Sequence, residues 1–328
     1  MATQTVLVTG AGGFIGSHLV EALVREGRRV RAFVRYNGRG DAGNLRHLPA
    51  DVRETVDIVF GDLRDANAVL DAARGVELIY HLGALIGIPY SYVHPRETVD
   101  SNVTATLNVL DAARERGVSR VVHTSTSEVY GTARTVPIRE DHPLQGQSPY
   151  SASKIGADML ADSYHRAFGV PVVTIRPFNT YGPRQSMRAV IPTVAVQALR
   201  GDVVRLGSLT PTRDLNFVGD TVDGFLRAGR TPGIEGRVMN LARDEEISIG
   251  ALAEKIVAIV DRPVRVETEA ARLRPGASEV MRLRGDSTLA RQLLGWAPAV
   301  SLDEGLRRTV AWVRENLDAY AAGAGYQV

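Results

Sequence analysis

The sequence contains no cysteine among its 328 residues. This absence excludes disulfide bonds, thiolate catalysis and cysteine-ligated metal sites. No apolar run approaches the roughly 18 residues that a transmembrane helix needs, and the N-terminal residues lack the pattern of a signal peptide. We therefore expect a cytoplasmic protein that makes no use of the membrane.

Neither sign of charge is in large excess, because 39 lysines and arginines nearly balance 37 aspartates and glutamates and the formal net charge is +2. The isoelectric point is nevertheless about 9.0. The basic residues are dispersed, without the run that would follow a phosphate backbone, so we expect no nucleic-acid partner. Single histidines such as His18, His142 and His165 lack the spacing of ligands, and no metal site is predicted. The 44% hydrophobic and 23% charged residues are typical of a globular protein, whose length suggests about two domains.

A glycine-rich loop follows the first β-branched run, Thr5–Thr9. Apolar residues recur at helical spacing directly after the loop, so the order is strand, glycines, helix. Glycines let a backbone approach a pyrophosphate closely, and the free N–H groups of a helix N-terminus attract its charge. The pattern predicts a dinucleotide site rather than a plain glycine-rich turn. Its candidate residues are Gly10, Gly12, Gly13, Phe14, Ile15 and Gly16.

The second predicted strand, Arg29–Arg35, does not end in the acid that binds the ribose diol of NAD. Val34 occupies that place and Arg35 follows it. An arginine can bind a 2′-phosphate, whereas a carboxylate would repel one. NADP is therefore favoured and NAD remains possible; an exposed arginine without a role is the alternative.

Strand patterns alternate with helical ones through the first half of the chain. Strands are predicted at 57–60, 77–84, 120–124 and 172–176, with a long helix at 95–116. This alternation predicts an α/β fold with a doubly wound parallel sheet (Rossmann). The fourth strand ends in Leu82-Gly83-Ala84, so Leu82 and Ala84 are candidate cofactor contacts at the strand's carboxyl end.

After Pro177 the pattern changes to prolines, short helices and isolated strands. We expect residues 1–178, with return segments at about 213–240, to form the dinucleotide-binding domain. Residues 179–212 and 241–328 would form a smaller C-terminal substrate-binding domain. The predicted elements of this half are the helices Ala189–Arg200, Asp220–Gly229, Ile249–Val260 and Asp303–Tyr320 and the strand Leu215–Val218.

Tyr150 and Lys154 open a helical run that continues to Phe168. Residues four apart lie one above the other on a helical face, so the phenol and the ammonium point into the same space. A neighbouring ammonium and a cationic nicotinamide would lower the pKa of a phenol toward the range in which it acts as a base. Alone, the pair is more typical of a solvated helix surface than of a catalytic site.

Taken together, these motifs resemble those of the extended short-chain dehydrogenase/reductase family, whose members act on nucleotide sugars. The further motifs that carry the resemblance are Gly61-Asp62-Leu63, the run 124–131 (Thr-Ser-Thr-Ser-Glu-Val-Tyr-Gly) and the run 176–183 (Arg-Pro-Phe-Asn-Thr-Tyr-Gly-Pro). Within the family, the sequence most resembles the NDP-sugar 4,6-dehydratases. These include GDP-mannose 4,6-dehydratase and the legionaminic-pathway dehydratases that act on N-acetylglucosamine nucleotides. The motifs that favour them are Leu206-Gly207-Ser208, Arg213-Asp214 and Arg274-Pro275 ahead of Ser278-Glu279-Val280.

The resemblance implies a role for each matching residue. Tyr150 would remove the 4-OH proton while C4 passes a hydride to the nicotinamide, with Lys154 holding the ribose and Thr126 bonded to the same hydroxyl. Glu128 would take the C5 proton, water would leave from C6, and the hydride would return to C6. The remaining implied contacts are Asp62 and Leu63 at the adenine, and Asn179, Arg213 and Glu279 at the substrate, a UDP- or GDP-linked sugar.

Ser127 departs from the family pattern, because glucose-nucleotide dehydratases have an aspartate there as the acid for the leaving hydroxyl. A serine hydroxyl is far too weak an acid to protonate the leaving hydroxyl. We therefore expect Glu128 to serve both as the base at C5 and as the acid for the leaving hydroxyl, while Ser127 only orients the reacting groups.

The same motifs also resemble those of UDP-glucuronate decarboxylases and, less closely, UDP-sugar 4-epimerases. A non-catalytic nucleotide-binding module is a remote alternative, because both Tyr150 and Lys154 are present. By resemblance we also expect a homodimer that pairs the helices at 95–116 and 150–168.

Overall fold

The computed structural model describes residues 5–273 and 275–323. Its centre is a seven-stranded parallel sheet, which confirms the predicted doubly wound fold. From one edge to the other the strands are Asp57–Gly61 (β3), Arg29–Arg35 (β2), Thr5–Thr9 (β1), Val76–His81 (β4), Arg120–Thr124 (β5), Val172–Pro177 (β6) and Val238–Leu241 (β11). The strand order reverses between β1 and β4, where a ligand crevice is expected outside the carboxyl ends of the strands.

Twelve α-helices lie within the described ranges, and the bounds of most follow the sequence pattern. They are Phe14–Arg25 (α1), Ala50–Arg53 (α2), Ala66–Ala72 (α3), Ile88–Val93 (α4), Pro95–Val99 (α5), Ala105–Arg116 (α6), Pro149–Phe168 (α7), Val190–Arg200 (α8), Val218–Arg230 (α9), Ile249–Val260 (α10), Thr288–Leu294 (α11) and Leu302–Glu315 (α12). The predicted long helix at 95–116 consists of α5 and α6 joined by a π-helical turn at Asp100–Thr104. The last helix ends at Glu315, short of the predicted Tyr320, and a 3₁₀ segment follows at Leu317–Gly323.

The start of α7 is fixed by local hydrogen bonds. The Ser148 hydroxyl accepts a hydrogen bond from the Ser151 backbone N–H at 3.1 Å, and the Ser151 hydroxyl donates to the Ser148 carbonyl. Pro149 occupies the first helical position, where its missing N–H costs nothing. Tyr150 therefore lies in the first turn, at the edge where β5 and β6 end.

Three short strand pairs lie in the region after Pro177. They are Asn179–Tyr181 (β7) with Leu215–Phe217 (β10), Thr212–Arg213 (β9) with Ile247–Ser248 (β12), and Val203–Leu206 (β8) with Arg265–Thr268 (β13). The strand β11 was not predicted, because four residues are too few to show a period. It pairs with β6 and so extends the main sheet. Arg274 of the Arg274-Pro275 motif lies outside the described residues.

Within the described ranges, no helix combines the length and the hydropathy needed to cross a bilayer. The same residues contain no cluster of three or more side chains suited to hold a metal ion.

Candidate active site

A cavity of about 1130 Å³ opens at the carboxyl ends of β1, β4, β5 and β6. This exceeds the ~300–1,000 Å³ typical of one small-molecule site, which suits two adjacent ligands. The predicted site residues in its lining are Gly10, Gly12, Gly13, Phe14, Ile15, Gly16, Arg35, Asp62, Leu63, Leu82, Ala84, Thr126, Ser127, Glu128, Tyr150, Asn179, Arg213 and Glu279. Lys154 is not among the described lining residues and lies behind the wall.

The glycine loop forms one end of this cavity, between β1 and α1. Gly10 has a φ of +67°, and a Cβ added there would lie 2.8 Å from the Gly83 backbone. The helix α1 has Gly13 as its N-cap, with no side-chain hydrogen bond to the cap and no acidic residue in its first turn. The N-terminus of α1 therefore lines the cavity without a side-chain cap or a carboxylate in its first turn, and its positive polarisation suits a dinucleotide pyrophosphate.

Arg35 lies at the rim of the same end, where β2 finishes. Its Nη2 is 3.4 Å from Oε1 of Glu97, and its side chain is 60% exposed. Glu97 also accepts a hydrogen bond from the Tyr90 hydroxyl. The arginine charge is thus already shared with a carboxylate, a contact that the sequence pattern did not predict.

Asp62 faces the same end of the cavity. Arg64 forms an ion pair with it at 2.6 Å, and this hydrogen bond chiefly lowers the pKa of Asp62 to about 2. The Asn108 amide donates to the Leu63 carbonyl at 2.8 Å, which fixes the backbone beside Asp62. The loop after β3 is therefore fixed by its own Asp62–Arg64 ion pair and by a hydrogen bond from α6.

Tyr150 and Thr126 meet at the centre of the cavity wall. Tyr150 is 7% exposed, and burial raises the pKa of its phenol well above the ordinary value. A hydrogen bond with the Thr126 side chain lowers this pKa, whereas the charges of Glu128 and Asp158 raise it. The phenol is therefore the stable form of the chain alone, and base action at Tyr150 needs further positive charge at the site.

Lys154 is buried one helical turn behind Tyr150, with 4% of its surface exposed. Its Nζ donates a hydrogen bond of 2.6 Å to the Thr124 carbonyl at the end of β5. Burial lowers the pKa of Lys154 to about 8, while the negative charge of Asp158 raises it. The ammonium is thus the prevailing form at neutral pH, close to Tyr150 in sequence and in space.

Glu128 and Ser127 lie on a 3₁₀ turn, Ser127–Tyr130, that begins where β5 ends. The Thr126 hydroxyl caps this turn by accepting a hydrogen bond from the Glu128 N–H at 3.2 Å. Ser127 is 2% exposed, whereas Glu128 is partly exposed to the cavity. One capped turn therefore contributes both Ser127 and Glu128 to the cavity that Tyr150 lines, and the charge of Glu128 is near enough to raise the pKa of the Tyr150 phenol.

The predicted substrate contacts Asn179, Arg213 and Glu279 line the same cavity. The Asn179 amide nitrogen Nδ2 is buried with no hydrogen-bond partner in the described chain, so it is a donor available to a ligand. Arg213 Nη2 lies 3.1 Å from Glu279 Oε1, and its Nη1 donates to the carbonyls of Thr212 and Val280. The sequence predicts that Arg213 and Glu279 both contact the substrate. It does not predict the ion pair that they form with each other.

Sequence reasoning did not identify Asp158 and Arg176 as candidate functional residues. Asp158 and Arg176 form a buried ion pair at 3.0 Å directly beneath the end of β5. Arg176 belongs to a motif already noted, and Asp158 is four residues after Lys154 on the same helical face. That spacing is the signal that would have identified it.

Comparisons with known proteins agree with this geometry. Residues 7–309 match the family model described as GDP-mannose 4,6 dehydratase. A UDP-glucose 4-epimerase of Mycolicibacterium smegmatis is 37% identical over 316 residues, which cover 94% of this chain and 98% of the relative. A dTDP-glucose 4,6-dehydratase of an Actinoplanes species is 34% identical over 327 residues, covering 95% and 98%.

A solved structure of a dTDP-glucose 4,6-dehydratase from Streptomyces venezuelae, described with NAD bound, superposes with a TM-score of 0.87. It is 32% identical and covers 97% of this chain and 99% of its own. The match over nearly the whole length includes both the glycine loop and the substrate side of the cavity. The chain therefore belongs to the GDP-mannose 4,6 dehydratase family, among the extended short-chain dehydrogenases/reductases that act on nucleotide sugars.

Proposed function

We propose that this protein is a nucleotide-diphosphate-sugar 4,6-dehydratase, which converts its substrate to a 4-keto-6-deoxy sugar nucleotide. The observation that carries the proposal is the position of Glu128. Its carboxylate lines the same cavity as Tyr150 and Thr126, on a turn capped by Thr126 itself. Dehydration needs a base at C5 in addition to the groups that oxidise C4, and we assign that role to Glu128.

The oxidation of C4 is assigned to Tyr150, Thr126 and Lys154. A nicotinamide dinucleotide would be held at the glycine loop by Gly10, Gly12 and Gly13, and it would supply the hydride acceptor for C4, the hydride donor for C6 and positive charge beside the phenol. Tyr150 takes the proton of the 4-hydroxyl, Thr126 bonds the same oxygen, and Lys154 stabilises the phenolate and holds the ribose. The glycine cradle and the uncrowded N-terminus of α1 fit such a dinucleotide.

The elimination is assigned to Glu128, with Ser127 in support. The 4-keto group makes the C5 hydrogen acidic, and the Glu128 carboxylate removes it. The resulting carboxylic acid then protonates the leaving hydroxyl at C6, because the Ser127 hydroxyl is too weak an acid for that step. Glu128 next takes a proton from solvent and delivers it to C5 as the hydride reaches C6, so that C5 acquires a solvent hydrogen. A positioned acid–base group contributes about 10²–10⁴-fold to the rate.

Substrate binding is assigned to Asn179, Arg213 and Glu279. The buried Nδ2 donor of Asn179 suits a sugar or phosphate oxygen, and a guanidinium binds a diphosphate with charge-assisted hydrogen bonds. Glu279 holds Arg213 in place at 3.1 Å. We propose that residues 179–212 and 241–328 form the substrate-binding domain, with 1–178 and about 213–240 on the dinucleotide side.

A UDP-sugar 4-epimerase is the second candidate, since an epimerase is among the relatives. Epimerisation at C4 needs the removal and return of one hydride but no base at C5. Glu128 would therefore have no catalytic role in that reaction. A UDP-glucuronate decarboxylase also begins with C4 oxidation and then releases carbon dioxide from C5. A non-catalytic nucleotide-binding module is disfavoured by the buried Tyr150 and Lys154 pair.

One experiment separates these functions. The enzyme is incubated in heavy water with a panel of UDP-, GDP- and dTDP-linked sugars, including UDP-glucuronate. We expect a 4-keto-6-deoxy product with deuterium at C5, and Glu128→Gln should abolish this incorporation while C4 oxidation continues. Deuterium incorporation retained by Glu128→Gln would refute the proposed role, and carbon dioxide release or simple C4 inversion would refute the dehydratase assignment.

The choice between NADP and NAD remains a prediction. Arg35 at the end of β2 favours NADP, but its pairing with Glu97 reduces the charge available to a 2′-phosphate. The Streptomyces venezuelae dehydratase is described with NAD, which favours NAD here as well. The site therefore suits either dinucleotide.

We also propose a homodimer formed by α5, α6 and α7. These helices pack against one another and expose large apolar side chains at Val99, Met159 and Phe168, which are 43%, 50% and 49% exposed. A helical face of this kind is typical of an interface with a second copy. Light scattering should give a dimer that Met159→Glu weakens; a monomeric wild type would contradict the proposal.

A further inference from the structure

Asp158 is a buried carboxylate directly beneath the candidate catalytic residues. It follows Lys154 by one turn of α7 and is 4% exposed. Its Oδ2 accepts a hydrogen bond from the Ser125 hydroxyl at 2.8 Å, and its Oδ1 lies 3.1 Å from Nε2 of His123. Asp158 thus ties α7 to the last residues of β5, immediately before Thr126.

A second arm of contacts leads from Asp158 to the turn that carries Glu128. Arg176 donates from Nε and Nη2 to Asp158 Oδ2 at 3.2 and 3.0 Å. The same guanidinium donates from Nη1 to the Tyr130 hydroxyl at 2.9 Å. Tyr130 is the last residue of the turn Ser127–Tyr130, so one carboxylate is linked to both halves of the candidate site.

The charged groups that act directly on Asp158 are mainly cationic. The charged and titratable groups that face it or its partners are Tyr150 and Lys154 on α7, His123 on β5, Arg176 on β6, Tyr130 on the 3₁₀ turn, Glu140, whose charge acts on Arg176 and Tyr130, and His81 on β4, whose ring stacks on His123. Burial lowers the pKa of both histidines, which favours their neutral forms. Asp158 is therefore the anion that faces two buried cations, Lys154 and Arg176.

We propose that Asp158 is a positioning residue, which holds the end of β5 and the Glu128 turn against α7 and serves as the buried counter-ion of Lys154. The inference rests on the proposed function only in taking Tyr150 and Lys154 as the reacting pair. It applies to any reaction that begins by oxidising C4.

The electrostatic consequence has a definite sign. The negative charge of Asp158 stabilises the lysine ammonium and destabilises the Tyr150 phenolate. Its removal lowers the pKa of Lys154 and also that of Tyr150. Both limbs of the pH–rate profile therefore move to lower pH, which a merely structural defect would not produce.

The sequence makes a direct measurement possible, because its only lysines are Lys154 and Lys255. Protein labelled at the lysine side chains gives two titrating NMR signals, with Lys255 as the internal reference. In Asp158→Asn we expect the pKa of Lys154 to fall below that of the wild type while Lys255 is unchanged. The kcat for nicotinamide reduction should fall about 10- to 100-fold, as expected for misplaced groups.

A matched control is Asp220→Asn, which removes another buried carboxylate, one that accepts a hydrogen bond from the Val300 N–H. It should move neither the Lys154 titration nor the pH–rate profile. An Asp158→Asn variant whose Lys154 pKa and profile match the wild type overturns the proposal.

The double variant Asp158→Leu/Arg176→Met tests the same idea if Asp158→Asn does not fold, because apolar replacement of a whole buried ion pair often preserves stability. We expect a folded protein with a low kcat and a lowered Lys154 pKa. Wild-type kcat and titration in this variant would overturn the proposal. A wild type that reduces no nicotinamide with any sugar would instead refute the proposed function, and the lysine titration would still be measurable.

Discussion

The ammonium of Lys154 donates a 2.6 Å hydrogen bond to the backbone carbonyl of Thr124, which joins the first turns of α7 to the end of β5. This bond places the Tyr150 helix beside Thr126 and Glu128 through the backbone, independently of any ligand. It also holds a positive charge where water is largely excluded. A buried ammonium beside Tyr150 supports catalysis, but it lowers the free energy of unfolding because the charge is kept from water.

Replacing Lys154 by methionine should therefore stabilise the protein while it removes activity. Burial lowers the pKa of Lys154 from 10.5 to about 8, and at roughly 1.4 kcal/mol per unit this costs about 3 kcal/mol below pH 8. The lost bond to Thr124 offsets about 1 kcal/mol, which leaves a gain of about 2 kcal/mol in the free energy of unfolding. Denaturant unfolding at pH 7 measures this gain.

The effect of Lys154→Met on stability should depend on pH. Between about pH 8 and 10.5 the unfolded chain binds more protons than the folded one, so the wild type gains stability there as pH rises. The advantage of the variant should thus be largest below pH 8 and shrink toward pH 10.5. Lys255→Met, at an exposed ion pair with Asp303, serves as the control and should change little. A Lys154→Met protein less stable than the wild type at pH 7 would contradict the argument.

Gly10→Ala should abolish dinucleotide binding, because the added Cβ would lie 2.8 Å from the Gly83 backbone at the centre of the cradle. Gly27→Ala is a matched control, since Gly27 also has a positive φ, +78°, but has open space around its Cα. In both variants the left-handed backbone conformation of a non-glycine residue lowers the free energy of unfolding by about 1–2 kcal/mol. Calorimetric titration with NAD and NADP should show lost binding for Gly10→Ala and unchanged binding for Gly27→Ala. Equal losses in the two would mean that φ alone, and not the close approach, matters at Gly10.

The sequence predicted those features that depend on neighbouring residues or on strand ends. The glycine loop, Thr126 and Asn179 all follow strands, and parallel strands bring their carboxyl ends to one edge. The contacts between distant segments were not predictable in this way. The pairs Asp158 with Arg176 and Arg35 with Glu97 join elements whose spacing in the sequence carries no signal. The strand β11 was missed because its four residues are too few to show a period.

Glu97→Gln should shift dinucleotide preference toward NADP, whichever cofactor the wild type prefers. Removal of the carboxylate leaves the Arg35 guanidinium free to meet a 2′-phosphate. Because the pair is largely exposed, its effect is limited to about 1 kcal/mol, or about fivefold in the ratio of the two Kd values. Arg35→Ala should shift the ratio the other way, and Arg29→Ala, at the opposite end of β2, should leave it unchanged. If Glu97→Gln does not alter the ratio, Glu97 does not control the charge of Arg35.

Ser127→Ala distinguishes an orienting serine from an acid that takes part in the elimination. If Glu128 carries out both proton transfers, the variant should retain dehydration within about tenfold of the wild type, because a lost neutral hydrogen bond is worth about 1 kcal/mol. Removing a true general acid would cost about 10²–10⁴-fold. Deuterium incorporation at C5 should persist in Ser127→Ala and disappear in Glu128→Gln, and thermal unfolding of both variants verifies that they fold. A loss of a hundredfold or more in a folded Ser127→Ala protein would require the serine hydroxyl to act in proton transfer, and Glu128 could then no longer be assigned both steps.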